Sequence, residues 1–292
     1  MIINTEKSNP QTVDIDLADG QKIAEMINVE DMKVAVAIQK ILPQIGNAIE
    51  KIAERMQNGG RMAYFGSGTS GRIGILDASE MPPTFGVSPT LIQAYISGGE
   101  KAVRYAVENA EDRADLAEED FAAFKAEPQD IVVAISASGN PLYGVKVLEL
   151  ARQKGCLSIG ITSNPNAALK EFADILLCAE VGPEVITGSS RMKSGTAQKM
   201  IVNMLSTGAM IKLGKTYHNY MIDVQIHNAK LYERANRFVR EITGADEQTA
   251  KATLDEAKHV ATACVMIAKN CDKITAQKLL QQNGGILRKI LK

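Results

Sequence analysis

Apolar and polar positions alternate in two different rhythms along the chain. In residues 19–58, apolar side chains recur at helical spacing, as in VAVAIQKILPQIGNAIEKIAERM. Pro43 predicts a bend or break in this helical region, and Gly59-Gly60 predicts its end. From there to about residue 190, short and almost continuously apolar segments alternate with helical patterns, which indicates a change of architecture.

The apolar segments have the length and composition of β-strands, and they occupy 61–65, 91–96, 130–135, 156–161 and 174–178. Helices are predicted between them, including 100–125 and 140–154, the latter with Pro141 in its first turn and Gly155 at its end. Strands that are apolar throughout and alternate with helices predict a parallel sheet covered on both faces. The predicted fold class is α/β, with a three-layer αβα core around a five-stranded, mainly parallel sheet.

The strand pattern stops after residue 190, and the remainder predicts helices at 191–213, 218–241 and 246–269, followed by a short terminal pair. The segment TGADEQTA offers a cap before the third of these helices. We therefore expect an N-terminal helical extension (1–58), a core (59–216) and a C-terminal helical region (217–292).

Composition narrows the possible functions. The 292 residues are 45% hydrophobic and 23% charged, and the net charge of −1 provides no basic field for nucleic acid. The four cysteines show neither a CxxC pair nor zinc spacing, and we expect structural thiols. The N-terminus lacks the pattern of a signal peptide and no segment is long and apolar enough to span a bilayer. We expect a cytoplasmic protein with neither nucleic acid nor membrane as a partner.

Three loops rich in hydroxyl groups are predicted to follow strands and to open helices. Ligands of open parallel sheets bind beyond the carboxyl ends of the strands, so these loops are candidates for a site. The loops are GSGTSG (66–71), SASGN (136–140) and TGSSRMKS (187–194).

Helix N-termini present free N–H groups to anions, glycine lets the backbone approach closely, and Ser and Thr add donors. Each loop alone also fits the simpler interpretation that Ser and Thr cap helices. Together they favour a phosphate-bearing, hydroxyl-rich ligand. The candidate binding residues are Ser67, Thr69, Ser70, Ser136, Ser138, Thr187, Ser189 and Ser190.

Two cations adjoin the third loop. Arg191 and Lys193 are candidates to neutralise a phosphate or a carboxylate of the ligand, or they are ordinary surface or interface charges. The three histidines show no metal-ligand spacing, and His227 is the one that we consider further, although a structural role is favoured.

The first loop also matches G-x-G-x-x-G, the pattern of dinucleotide sites. That interpretation requires an acidic residue at the end of the second strand to hold a ribose. The second predicted strand is followed by Ser97-Gly98-Gly99 instead, so the match does not support a dinucleotide.

The loops GSGTSGR and SASG resemble the sugar isomerase (SIS) fold of phosphosugar-binding proteins. Longer segments are similar to the family of N-acetylmuramic acid 6-phosphate etherases, and the similarity extends over nearly the whole chain. These segments are GTSGRIGILDASEMPPTFGV (68–87), ENAEDR (108–113) and VITGSSRMKSGTAQKMIVNMLSTGAMIKLGK (185–215).

The resemblance implies cleavage of the D-lactyl ether of N-acetylmuramic acid 6-phosphate by elimination and hydration, with no metal or redox cofactor. It also implies a homodimer whose interface is formed by helices outside the sheet. The catalytic glutamates of the family fall on Glu80 and Glu111. Glu80 is the implied proton donor to the leaving lactate, and Glu111 is its implied partner.

The residues themselves support Glu80 more than Glu111. Pro82 and Pro83 predict the end of the helix, which places Glu80 in its last turn, where the helix dipole disfavours a charged carboxylate. Glu111 is predicted at the border of the apolar face of a helix over 100–125. For each glutamate the simpler alternative is a solvated side chain.

The chain departs from the family in one place. The family reads SGRTPYV after the second serine loop, whereas this chain has Ser138-Gly139-Asn140-Pro141. An arginine beside the site is thereby lost, which leaves open how the substrate is recognised there.

Two other functions share the fold. One is an aldose–ketose isomerase of phosphosugars, and the other is a non-catalytic phosphosugar-sensing regulator. Regulators of that kind usually carry a partner-binding domain, for which the sequence shows no pattern.

Overall fold

The computed structural model describes residues 4–226 and 228–291, so His227 lies outside the described residues. The first helical region consists of α1 (Gly20–Gln39) and α2 (Leu42–Gln57), which confirms the predicted break. Pro43 lies in the first turn of α2, where its missing N–H has no intrahelical acceptor in any case. Gly59 follows α2 with a φ of 88° and ends the region as predicted.

Five strands form one sheet, and each strand bound lies within one residue of its prediction. The sheet order is β2-β1-β3-β4-β5, and all neighbouring strands run parallel, which confirms the predicted fold class. The strands are β1 (Met62–Gly66), β2 (Ile92–Ile96), β3 (Ile131–Ile135), β4 (Leu157–Thr162) and β5 (Ile175–Cys178).

Helices cover both faces of this sheet. They are α3 (Gly68–Phe85), α4 (Gly99–Arg104), α5 (Ala114–Phe124), α6 (Leu142–Lys154) and α7 (Lys193–Lys212). On one face, Phe65 of β1 packs in a buried cluster with Phe124 of α5 and Val147 of α6. On the other, the Tyr64 hydroxyl donates to Asp77 of α3 at 2.8 Å. Because successive side chains of a strand point to opposite faces, β1 contributes to both layers.

Two helix predictions in the core are wrong. Residues 100–125 do not form one helix, because α4 ends at Arg104 and α5 begins at Ala114, with only a 3₁₀ turn (Ala110–Asp112) between them. Asn109 has a φ of 58°, which an α-helix does not accommodate. Conversely, α3 continues through Pro82 and Pro83, because the fixed φ of proline is helical and only two backbone hydrogen bonds are lost.

The C-terminal part departs from its predicted helices in two places. Residues 216–221 form a hairpin, β6 (Thr216–Tyr217) and β7 (Tyr220–Met221), whose two-residue turn includes His218 with a φ of 49°. The helix predicted over 246–269 is two helices, because Lys258 has a φ of 58° and His259 caps a new helix. Asp246 caps the first of them, as TGADEQTA predicts. The helices are α8 (Ala229–Thr243), α9 (Glu247–Ala257), α10 (Val260–Lys269), α11 (Lys273–Gln282) and α12 (Leu287–Ile290).

The chain forms two compact units, Met1–Ser79 with Thr90–Ser206, and Glu80–Pro89 with Thr207–Lys292. The first contains the sheet and the N-terminal helices, and the second has its own core of residues such as Phe238, Leu254 and Val265. The three-part division made from the sequence stays a prediction. In the described residues, no helix has the length and apolarity needed to cross a bilayer. All four cysteines are free thiols.

Candidate functional site

A pocket of about 290 Å³ lies in the first unit, where β1 and β3 end. It is built mainly from the first two of the three hydroxyl loops considered from the sequence. The predicted residues that line it are Ser67, Thr69, Ser70, Glu111, Ser136, Ser138 and Ser190.

The glycines of the first loop join β1 directly to α3. A Cβ atom on Gly71 would lie 2.6 Å from the Gly66 carbonyl oxygen, so no larger residue fits between strand and helix. Because α3 begins at Gly68, Thr69 lies in its first turn. The N–H groups of Ser70 and Gly71 in this turn donate to the Ser67 carbonyl, at 3.1 and 3.5 Å, whereas those of Gly68 and Thr69 have no acceptor within the helix. At the neighbouring strand end, the Ser97 N–H donates to the Gly66 carbonyl at 3.0 Å, and the three residues directly after β2 are not acidic. The ribose-binding carboxylate of a dinucleotide site is therefore missing at the end of β2.

The serines of the second loop are oriented by the backbone. The Gly139 N–H donates to Ser136 Oγ at 3.1 Å, and the Asn140 N–H donates to Ser138 Oγ at 3.4 Å. Because each serine oxygen accepts, its own hydroxyl hydrogen is left to donate to a ligand. Asn140 is the residue at which the chain departs from the family pattern. Its side-chain oxygen accepts from the Ala168 N–H at 3.0 Å and so stabilises the start of the 3₁₀ turn Ala168–Glu171.

The third loop differs from the prediction. It does not follow a strand directly, because β5 ends at Cys178 and α7 begins at Lys193. The N-terminus of α7 is also occupied, since the fully buried Glu184 carboxylate accepts from the N–H groups of Lys193 and Ser194, both at 2.9 Å. The expected free N–H groups are therefore taken by a carboxylate of the chain itself. Of this loop, only Gly188 and Ser190 line the pocket among the described residues.

Lys193 forms a buried ion pair. Its Nζ lies 2.6 Å from Glu30 Oε2, and both side chains are 1% exposed. Burial raises the pKa of Glu30, but hydrogen bonds from Lys193 and Lys33 outweigh this effect and hold it below the ordinary 4.5. Lys193 thus lies in a buried structural ion pair, which is neither the ligand charge nor the surface or interface charge considered from the sequence. Arg191 is exposed and has no hydrogen bond or ion pair in the described part of the chain.

Glu111 reaches the pocket from the 3₁₀ turn, not from a helix. The Ser97 hydroxyl donates a short hydrogen bond to the Ala110 carbonyl and ties this turn to the end of β2. Arg72 fixes the preceding segment by donating to the carbonyls of Val103 at 2.8 Å and Tyr105 at 3.2 Å. Glu111 also lines an adjoining cavity of about 250 Å³ that contains Arg72. Glu111 is an exposed residue.

Glu80 lies on α3, exposed to solvent and within the second unit. Since α3 ends at Phe85, the expectation that Glu80 occupies the last turn is wrong. Glu80 is twelve positions after Gly68, the first residue of the same helix.

Two residues of the N-terminal segment also line the pocket, and the sequence did not identify them. Thr5 and Glu6 belong to a 3₁₀ turn (Asn4–Glu6) that precedes the first helix. Long-range hydrogen bonds bring it there, including one from Thr12 Oγ1 to the Val185 carbonyl at 2.8 Å. No local pattern predicts contacts across more than 170 residues.

Tyr143 is a third lining residue that the sequence did not identify. Its hydroxyl donates to Asp120 Oδ2 at 2.6 Å, and burial followed by the Asp120 charge raises its pKa far above the ordinary range. It therefore acts as a neutral wall of the pocket. In the described residues, no three His, Cys, Asp or Glu side chains are grouped to hold a metal ion.

Comparison with known proteins agrees with this architecture. A family model of the SIS domain matches residues 110–208, and the model of the glucokinase regulatory protein N-terminal SIS domain matches 44–152. The C-terminal lid domain of the same regulatory protein matches 218–259. The fold also resembles, with a TM-score of 0.50 and 22% identity, a Bacteroides fragilis protein proposed to be a phosphosugar isomerase involved in capsule formation. That match covers 65% of this chain and 91% of the other. The chain thus has the fold of SIS-domain proteins.

Curated relatives define the family more closely. An N-acetylmuramic acid 6-phosphate etherase of Glaesserella parasuis is 48% identical over 96% of this chain and 93% of its own. The etherases of Caldanaerobacter subterraneus (47%, covering 99% and 94%) and Escherichia coli O1:K1 (46%, covering 98% and 97%) are similar over almost their whole lengths. The chain belongs to the N-acetylmuramic acid 6-phosphate etherase family, which confirms the resemblance seen in its sequence.

Proposed function

We propose that this protein cleaves the D-lactyl ether of N-acetylmuramic acid 6-phosphate to N-acetylglucosamine 6-phosphate and D-lactate. The observation that carries the proposal is the 46–48% identity to etherases over at least 96% of the chain. The reaction would serve the recycling of peptidoglycan amino sugars in the cytoplasm.

The pocket offers a position for the 6-phosphate. The first two residues of α3, Gly68 and Thr69, supply backbone N–H groups, and Ser67 and Thr69 supply hydroxyls. Ser136 and Ser138 add donors from the neighbouring loop. By contrast, Glu184 occupies the N-terminus of α7, so the phosphate is assigned to the first two loops. We assign Arg191 as the cation that binds the lactyl carboxylate.

The chemistry requires proton transfers at two carbons. In the open-chain sugar, C1 is an aldehyde, so a base can remove the C2 proton. The C3–O bond then breaks and the departing lactate oxygen takes up a proton, which leaves an α,β-unsaturated aldehyde. Water adds to C3 while C2 regains a proton, which completes the balance. We assign proton donation to lactate to Glu80 and the partner role to Glu111; such general acid–base catalysis contributes about 10²–10⁴-fold.

We further propose a homodimer. Val29, Met32 and Val36 form an apolar stripe on one face of α1, and each is between 51% and 59% exposed. A dimer would cover such a stripe, and it would also offer a sugar the Glu80 of the partner subunit. Gel filtration with light scattering at working concentrations tests the stoichiometry, and a monomer of 31.5 kDa would contradict it.

The decisive test of the reaction is incubation with N-acetylmuramic acid 6-phosphate, followed by an enzymatic assay of D-lactate. We expect equal amounts of D-lactate and N-acetylglucosamine 6-phosphate. If the product were a ketose phosphate without lactate, the isomerase would be the correct function. Binding without any product would indicate the regulator.

A further inference from the structure

The N-terminal turn contributes two polar groups to the pocket that the proposed reaction leaves without a role. Thr5 is 1% exposed, and its Oγ1 is buried without a hydrogen-bond partner. Glu6 is exposed, and its carboxylate has no hydrogen bond or ion pair with any residue of the described chain. A buried hydroxyl without a partner is unfavourable unless a ligand supplies one.

The residues that follow the turn are held against residues 183–185 by hydrogen bonds. Asn9 Nδ2 donates to the Pro183 carbonyl at 3.3 Å, and Thr12 Oγ1 donates to that of Val185 at 2.8 Å. A Cβ atom on Gly188 would lie 3.2 Å from Glu6 Oε2, and Gly188 has a φ of 78°. The carboxylate therefore lies against a glycine that itself lines the pocket.

The charges of the pocket restrict what Glu6 can bind. No Lys or Arg lines it among the described residues, so Glu6 has no cation to neutralise there. A carboxylate accepts hydrogen bonds and repels phosphate, whereas a sugar hydroxyl donates to it. An unpaired carboxylate next to an unpartnered hydroxyl therefore suits a polyol.

We propose that Thr5 and Glu6 bind hydroxyl groups of the sugar, away from the phosphate at the start of α3. The proposal rests on the phosphosugar site described above. It makes the N-terminal segment part of the binding site, and it assigns Glu6 to recognition of the sugar as distinct from its phosphate.

The test compares two ligands by titration calorimetry on the full chain. N-acetylglucosamine 6-phosphate presents phosphate and hydroxyls, whereas inorganic phosphate presents only the anion. We expect Glu6→Gln and Thr5→Val to weaken binding of the sugar phosphate, by about ten- to a hundredfold for the charged Glu6 and less for Thr5. Binding of inorganic phosphate should not weaken in either variant, since Thr5 and Glu6 do not contact the phosphate and loss of the Glu6 charge only reduces repulsion.

Asp16→Asn is the matched control, because it removes an exposed carboxylate of the same segment that does not line the pocket. It should bind both ligands as the unaltered protein does. Unchanged sugar phosphate affinity in Glu6→Gln and Thr5→Val would overturn the proposal, and so would an equal loss for both ligands. Failure of the proposed reaction gives a different result. An unaltered protein that binds the sugar phosphate but releases no lactate would contradict the reaction, and the affinities of the variants could still be compared with its own. An unaltered protein that binds neither ligand contradicts both.

Discussion

The ammonium of Lys193 lies 2.6 Å from the Glu30 carboxylate, and both side chains are excluded from solvent. The pair links α1 to the first turn of α7, whose N–H groups are capped by Glu184. A lysine that looks like a phosphate ligand in the sequence thus stabilises the start of a helix. Glu30 also contacts Lys33 at 2.5 Å, but Lys33 is 49% exposed, so the two lysines differ in their environments.

Lys193→Met is expected to destabilise the protein by about 3–5 kcal/mol, because it leaves the Glu30 charge buried without its partner. Urea unfolding followed by circular dichroism measures this difference. Lys33→Met is the control and should lower the free energy of unfolding by no more than about 1 kcal/mol, since its ammonium is solvated. Equal effects of the two substitutions would contradict the assignment.

Stability is expected to fall in acid partly through Glu30. Its pKa in the folded protein lies below the ordinary 4.5. Above pH 4.5 the carboxylate is ionised in both states and the stabilisation is complete; below it the unfolded chain takes up the proton first. The difference in unfolding free energy between the protein and Glu30→Gln should therefore shrink as the pH falls from 4.5 through the folded pKa. A difference that is constant with pH would contradict this origin.

Ser138→Ala is expected to raise KM for the sugar phosphate about tenfold, because a hydroxyl that donates to an anion is lost. Steady-state rates of D-lactate release measure it. Ser189→Ala removes a hydroxyl of the third loop that does not line the pocket, and should change KM by less than about twofold. The opposite order would assign the phosphate to the third loop.

Ser97→Ala is expected to lower kcat roughly tenfold with little change in KM, because the turn that carries Glu111 loses its bond to β2. Ser97 acts as a positioning residue in this account. Ser97→Thr keeps the hydroxyl and should restore much of the rate. Loss of stability with an unchanged kcat of the folded protein would show a purely structural role.

Mixed dimers test whether two chains share one site. Glu80→Gln and Glu111→Gln should each abolish D-lactate release. If Glu111 of one chain works with the Glu80 of the partner subunit, random mixed dimers of the two variants recover about a quarter of the activity. As the control, each variant is dissociated and reassociated in the same way without the other variant. No recovery despite proven subunit exchange would mean that both glutamates act from the same chain.

The sheet was predictable because its signals are local. Buried parallel strands are apolar on both faces, so their positions appear in the sequence to within one residue. The loops after β1 and β3 were predictable for the same reason, since the ends of neighbouring parallel strands meet at one edge. The helices over 100–125 and 246–269 were misassigned because single residues with positive φ, Asn109 and Lys258, interrupt patterns that remain compatible with a helix.

Local periodicity and contiguous motifs in the sequence were enough to identify the αβα fold, the hydroxyl loops and the etherase family. Which side chains reach the pocket depends instead on tertiary packing. Lys193 forms a buried ion pair with Glu30, 163 positions away in the sequence, and the Glu184 carboxylate accepts hydrogen bonds at the N-terminus of α7. Tertiary packing also brings Thr5 and Glu6 to the ends of strands far along the chain. Contacts of this kind depend on how distant segments pack, which local patterns do not encode.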